Sequence, residues 1–239
     1  MNKKYLIVGA TSGIGLAVTT ELLKQGHTVL GVGRNLTDLQ SLQKQYPDQL
    51  KISMYDITSF QGESLIQHAH ETLGPVDVIF LNSGVASAHS FTVWEEENTL
   101  IKTNVSGTTN VLMAAHSYYF KNKYKGTIAI NTSVAGLVGL RAAPVYSASK
   151  AYLQNLIQGL RSKVKAHQLD LKLVDIRPGF VDTKMSGGTF WMCSAEKAAK
   201  QIIAAITYQK RVAYISHRWK LIGFLVQVMP ALILETFQS

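Results

Sequence analysis

The sequence predicts an α/β fold: a doubly wound parallel sheet of about seven strands, helices on both faces, and an apolar helical extension at the C-terminal end. Three observations predict it. Short continuous runs rich in Val, Ile and Leu alternate with longer stretches of helical spacing, as buried strands and their crossover helices should. A glycine-rich turn follows the first run and opens the first helical stretch. No Pro/Gly/Ser-rich linker divides the 239 residues. One domain over 1–239 is therefore expected, with its core at about 4–215 and the extension at about 217–236.

In chain order, strands are expected at 5–8, 28–32, 51–55, 76–81, 127–131, 171–176 and 212–215. Helices are expected at 14–25, 36–45, 60–73, 100–121, 146–167 and 195–208. Gly26, Gly74-Pro75 and Gly126 stand where helices should stop. Ser194 can cap the helix that follows it. Strand, helix, strand repeated in this way makes a parallel sheet.

Hydrophobic residues make up 46% of the chain and charged residues 16%, which argues against disorder. No period recurs, which excludes repeat arrays and coiled coils. Lys and Arg number 24 against 15 Asp and Glu, a net charge of +9. That balance favours acidic partners: a phosphorylated cofactor or substrate, anionic lipid, or nucleic acid. Nucleic acid is not expected, because no basic stripe or recognition motif accompanies the charge. Cys193 is the only cysteine, so no internal disulfide or zinc cluster can form and a reducing compartment is indicated. No metal is expected. The apolar residues after Lys4 are too few for a signal peptide, and no window reaches the roughly 20 apolar residues of a membrane span. A cytoplasmic location follows as the expectation.

The glycine-rich turn is Gly9-Ala10-Thr11-Ser12-Gly13-Ile14-Gly15. Its place between a strand and a helix is that of a Rossmann-type phosphate site. Gly9 permits the tight turn, Gly13 lets the backbone approach a pyrophosphate, and Gly15 lets the helix pack close to the sheet. The helix N-terminus adds N–H donors and a positive dipole. At the end of the second strand, Gly31-Val32-Gly33-Arg34-Asn35 offers no carboxylate to the adenosine ribose. Arg34 can instead fork onto a 2′-phosphate, which favours NADP(H) over NAD(H). Asp56, after the third strand, either accepts from an adenine amino group or merely caps the helix beyond it.

Tyr146 and Lys150 are i and i+4 on one predicted helix and share a face. Ser133 lies 13 residues before Tyr146, at the end of an apolar run. A phenol is a poor acid or base at neutral pH, and a nearby ammonium lowers its pKa. A serine hydroxyl can hold a substrate oxygen where charge develops. The same spacing recurs in Ser106, Tyr119 and Lys123. There, Ser106 and Tyr119 lie roughly 20 Å apart on one continuous helix and cannot meet, so that set reads as surface helix. Ser133 and Tyr146 are separated by a strand end and a loop, and can meet.

Taken together, Gly9-x3-Gly13-Ile14-Gly15, Asn82-Ser83-Gly84, Asn104, Ser133, Tyr146-x3-Lys150 and Pro178-Gly179-x3-Thr183 resemble the short-chain dehydrogenase/reductase family over about residues 4–215. The resemblance implies an NAD(P)-dependent oxidoreductase acting on CH–OH and C=O groups. It implies that Tyr146 is the general acid, and that Lys150 lowers its pKa and holds the nicotinamide ribose. Ser133 would position the substrate oxygen. Asn104 would shape its helix and hold a water leading to Lys150. Asn82, Ser83 and Gly84 would line the adenosine ribose side, and Pro178, Gly179, Val181 and Thr183 would border the nicotinamide. Thr11, Ser12 and Ile14 beside the glycines, Asn35 beside Arg34, and Ile57 beside Asp56 would complete the cofactor surface. The chain departs from the family at Val8, usually Thr, and at Leu81 and Ser83. Ser12 stands where many NADP-preferring members carry a basic residue, so the phosphate preference rests on Arg34.

On the substrate side, Phe180, Phe190, Trp191 and Met192 either wall an apolar pocket or pack the short loop 184–193 onto the body. His89 and Arg141 are candidate rim groups. After the last strand comes His217-Arg218-Trp219-Lys220, then fourteen uncharged residues at 221–234, mostly apolar and interrupted by Pro230. This tail can pack on its own domain, on a partner subunit, or against lipid as a peripheral contact. The expected function is an NADP(H)-dependent carbonyl reductase or alcohol dehydrogenase for a small apolar substrate, working as a homodimer or homotetramer. Alternatives are a non-catalytic NADP(H)-binding sensor or scaffold, and a 3-ketoacyl thioester reductase.

Overall fold

The computed structural model describes residues 2–86, 93–183 and 191–229. Its elements run β1 (Lys4–Val8), α1 (Gly13–Lys24), β2 (Thr28–Gly33), α2 (Thr37–Gln45), β3 (Leu50–Met54), α3 (Gly62–Leu73), β4 (Val78–Leu81), α4 (Trp94–Leu100) and α5 (Thr108–Asn122). They continue with β5 (Gly126–Asn131), α6 (Pro144–Ala166), β6 (Leu171–Pro178), β7 (Val181–Asp182), β8 (Cys193–Ser194), α7 (Ala195–Thr207), β9 (Val212–Ile215) and α8 (Trp219–Val228). Seven strands form one sheet in the order β3-β2-β1-β4-β5-β6-β9, every pairing parallel. β7 and β8 pair separately.

Alternation along the strands divides the core. Leu6, Val8, Ile79 and Ile128 face one way and pack against Leu65 and Ile66 of α3, Val111 of α5 and Ile157 of α6. Tyr5, Ile7, Phe80 and Val174 face the other way, against Val18 and Leu22 of α1, Leu39 of α2 and Ile202 of α7. A sheet buried on both sides needs strands apolar throughout, which is why its pattern was readable.

Some boundaries differ from expectation. The helix expected at 100–121 begins at Trp94, with Glu95, Glu96 and Glu97 in its first turn, where carboxylates suit the dipole. Residues Ile101–Gly107 then form a π-helical stretch before α5. Helix α5 stops at Lys123 in the left-handed region, φ 51°, not at Gly126. Gly126 opens β5 instead, and a side chain there would strike the Tyr119 ring. Helix α6 starts two residues earlier than expected, with Pro144 in its first turn, a position where proline loses no hydrogen bond. Ser194 does cap α7, accepting from the Lys197 N–H at 3.2 Å.

Candidate active site

The carboxyl ends of β1 and β4 form the point where strand order reverses, the usual ligand crevice of such sheets. Gly9 turns the chain there with φ 87°, and its N–H and that of Ala10 both donate to the Val32 carbonyl, at 2.9 and 3.1 Å. A Cβ on Gly9 would lie 2.6 Å from the Ser83 nitrogen. One on Gly15 would strike the Gly9 carbonyl and the Asn82 amide, so Gly15 serves the turn folding back on itself as well as helix packing. Gly13, at φ 51°, faces Thr183, whose methyl would lie 3.2 Å from a Cβ there. Ser12 is the extended residue before α1 and is exposed, with no side-chain bond to the helix. Thr11 packs its methyl against Gly33, and Ile14 lies on the core. The result is a backbone cradle at a helix N-terminus, which fits a dinucleotide pyrophosphate.

On the adenosine side, Arg34 and Asn35 are exposed at the end of β2. The Asn35 oxygen accepts from Thr37 N–H and hydroxyl at 3.0 and 2.7 Å, opening α2. Asp56 caps a single 3-10 turn that includes buried Ile57, accepting from Thr58 N–H at 2.9 Å and its hydroxyl at 2.8 Å. Those bonds, and more weakly Arg34, hold its carboxyl below the ordinary range. Of the two readings of Asp56, the capping one is visible directly.

Asn82 ties three motifs together. Its Nδ2 donates to the Gly9 carbonyl at 2.9 Å, and its oxygen accepts from Asn131 Nδ2 at 2.9 Å. The Asn131 carbonyl in turn accepts from Lys150 Nζ at 3.0 Å. Asn131 is a residue the motifs missed; its signal was a polar side chain closing an apolar strand. Gly84 lies beside both Lys150 Nζ and Asn104, 3.4 and 3.3 Å from a Cβ placed there. Asn104, fully buried in the π-helical stretch, donates to the Val85 carbonyl at 2.8 Å and accepts from its N–H at 2.9 Å. It also donates to Ser149 Oγ at 3.3 Å.

Ser133 is buried just past β5. Its hydroxyl stands beside the Tyr146 phenol, donates to the Pro178 carbonyl at 3.3 Å and accepts from Ala135 N–H at 3.1 Å. Gln154 holds the Ser133 carbonyl at 2.7 Å. Lys150 lies over the Tyr146 ring, 5.6 Å from its centroid. Burial raises the phenol above its ordinary pKa, and the Ser133 hydroxyl opposes that rise. Burial takes Lys150 down to about 8. The expected lowering of the phenol by the ammonium is thus not what this geometry yields. Desolvation disfavours the charged form of both groups, and the lysine faces the ring. The second Tyr/Lys pair is not surface helix either. Tyr119 is buried, its hydroxyl donating to the Val76 carbonyl at 2.6 Å. Ser106 remains exposed.

Beyond Ser133, Gly179 lies under Trp219, whose indole a side chain there would strike. Phe180 and Trp191 meet the same indole edge-on, at 5.6 and 6.2 Å. Val181 is buried beside Cys193, Met192 is half-buried and Arg141 is exposed. Phe190 and His89 lie outside the described residues. Two clefts of about 540 and 660 Å³ open near α3 and α5. Neither is lined by any residue of this constellation, so the chemistry is placed by side-chain geometry rather than by cleft size.

The short chain dehydrogenase family profile matches residues 3–192. An uncharacterised oxidoreductase of Staphylococcus aureus is 30% identical over 220 residues, covering 88% of this chain and 94% of its own. One from Staphylococcus epidermidis is 29% identical over 209 residues, covering 86% and 90%. Among solved structures, a short-chain dehydrogenase from Streptomyces avermitilis superposes with a TM-score of 0.82 at 23% identity, covering 95% of this chain and 94% of that one. ElxO with NADP bound superposes at 0.78 with 22% identity, covering 90% and 97%. At such identities the two structures speak for the fold.

Proposed function

Because this chain belongs to the short-chain dehydrogenase family and is therefore an NAD(P)-dependent oxidoreductase, we propose that it acts as an NADP(H)-dependent carbonyl reductase or alcohol dehydrogenase on a small apolar substrate. One observation carries the proposal: the Ser133 hydroxyl stands beside the Tyr146 phenol at the carboxyl edge of the sheet, with Lys150 buried over the same ring. Gly9, Gly13, Gly15 and the N-terminus of α1 would hold the pyrophosphate. Asn82, Ser83 and Gly84 would flank the adenosine ribose, and Pro178, Gly179, Val181 and Thr183 would flank the nicotinamide. When bound, the nicotinamide supplies or accepts the hydride. Ser133 and Tyr146 bring two hydroxyls to one point, where a substrate carbonyl oxygen is held. The phenol, kept protonated by burial, donates its proton to that oxygen as negative charge develops. Lys150, held by Asn131, is a ribose donor, and Asn104 positions the helix beside it.

NADP(H) over NAD(H) rests on Arg34 at the end of β2. Assembly as a homodimer or homotetramer is part of the same reading. Exposed Met113 and Phe120 on α5 and Tyr152 on α6 support it. The test is NADPH oxidation across aldehydes, ketones, quinones and ketoacyl thioesters. Tyr146→Phe is expected to lose about 100-fold or more of the turnover while still binding NADPH. Undiminished turnover would remove Tyr146 from the mechanism.

A further inference from the structure

Helix α8 has two unlike faces. Trp219 and Gly223 are buried, the first against Gly179 and the second against Leu137 and Tyr214. On the other side Leu221, Phe224, Leu225 and Val228 are 64, 61, 48 and 61% exposed. Their spacing is i, i+3, i+4, i+7, a single apolar stripe turned to solvent. The charge beside it in sequence is one-sided: between Glu196 and Glu235 the chain carries Lys197, Lys200, Lys210, Arg211, Arg218 and Lys220 and no acid. All six cations are exposed, and Arg218 and Lys220 stand at the start of α8 itself. Uncharged residues 230–234 follow in sequence.

We propose that α8 is a docking surface for a lipid bilayer bearing anionic headgroups. The stripe enters the headgroup–acyl boundary, and Arg218 and Lys220 at the start of the helix meet the lipid charge. A second copy fits this face less well, because a two-fold contact would set two cationic segments against each other. The contact is peripheral: at ten residues α8 is about 15 Å long, and no described helix is long and apolar enough to cross a membrane. Since Trp219 rests on Gly179 and meets Phe180 and Trp191, docking fastens the lipid surface to one wall of the candidate active site.

The inference is independent of the reductase reading and is tested without turnover. The full chain is sedimented with vesicles of phosphatidylcholine, alone or mixed with phosphatidylglycerol. Binding is expected only to the mixed vesicles, weakening about tenfold or more at high salt as the charges are screened. L221E/F224E should lose about tenfold or more of that binding with an unchanged melting temperature, since both positions are exposed. K220E should weaken it with the stripe intact. Failure to bind mixed vesicles, or binding indifferent to both variants, overturns the proposal. So does a dimer that L221E/F224E disperses, which would assign the face to a second copy.

Discussion

Lys150 meets two opposing demands in one side chain. It is buried, which disfavours its charge, yet its ammonium is held by the Asn131 carbonyl and lies over Tyr146. Its pKa of about 8 lies below the unfolded value, so the unfolded chain binds the proton more tightly. Stability from this group therefore rises with pH between about 8 and 10.5 and is lowest below 8. Lys150→Met should be more stable than the parent at pH 7, by on the order of 3 kcal/mol at most, with the gap closing towards pH 10.5. A melting series against pH reads this directly, and a constant gap would contradict it. Arg34 is the opposite kind of residue, exposed and free of packing duties in the core. Arg34→Asp should raise KM for NADPH by about tenfold or more, roughly one charge-assisted hydrogen-bond pair, and favour NADH. Steady-state kinetics with both cofactors settles it. Motif residues such as these were legible because their chemistry is local. Asn131 was not, because its role depends on the strands beside it.

Between elements, the ends of β5 and β6 are joined by a buried network. Asp175 is fully buried; it accepts from Arg177 at 2.7 Å and from Thr132 at 2.6 Å. Thr132 directly precedes Ser133, so this network sets where the β5 strand ends. Asp175→Ala should cost about 3 kcal/mol or more, because it leaves the Arg177 charge uncompensated. Urea unfolding reads the loss, and a change within 0.5 kcal/mol, about that of a surface substitution, would show the pair to be dispensable. The sequence marked Asp175 only as part of an apolar run. The π-helical stretch at Ile101–Gly107 was legible only as an Asn104 that shapes its helix among weak helix formers. Its register shift becomes meaningful once Asn104 pairs with the Val85 backbone.

For the molecule as a whole, acid sensitivity has an identifiable source between α3 and α5. His70 is buried, with Tyr118 and Tyr124 at 4.2 and 5.6 Å, and neither ring nitrogen has a hydrogen-bond partner among the described residues. Burial lowers its pKa from 6.5 to about 4. The stability it supports is whole above pH 6.5 and is lost as pH falls through about 4. His70→Phe, which keeps the ring packing, should flatten the fall in melting temperature between pH 6.5 and 4. An unchanged acid slope would locate the sensitivity elsewhere.

By itself the sequence determined the alternation of strands and helices, the glycine turn and the set Ser133, Tyr146 and Lys150. Each is written in local spacing: period, turn conformation, or i and i+4 on one helix. Tertiary structure alone decided that Tyr119 of the second Tyr/Lys pair is core and not surface helix. It also decided that Tyr146 is raised rather than lowered, and that one face of α8 is buried while the other meets solvent. These depend on desolvation and on contacts between residues far apart in the chain, which no local pattern records.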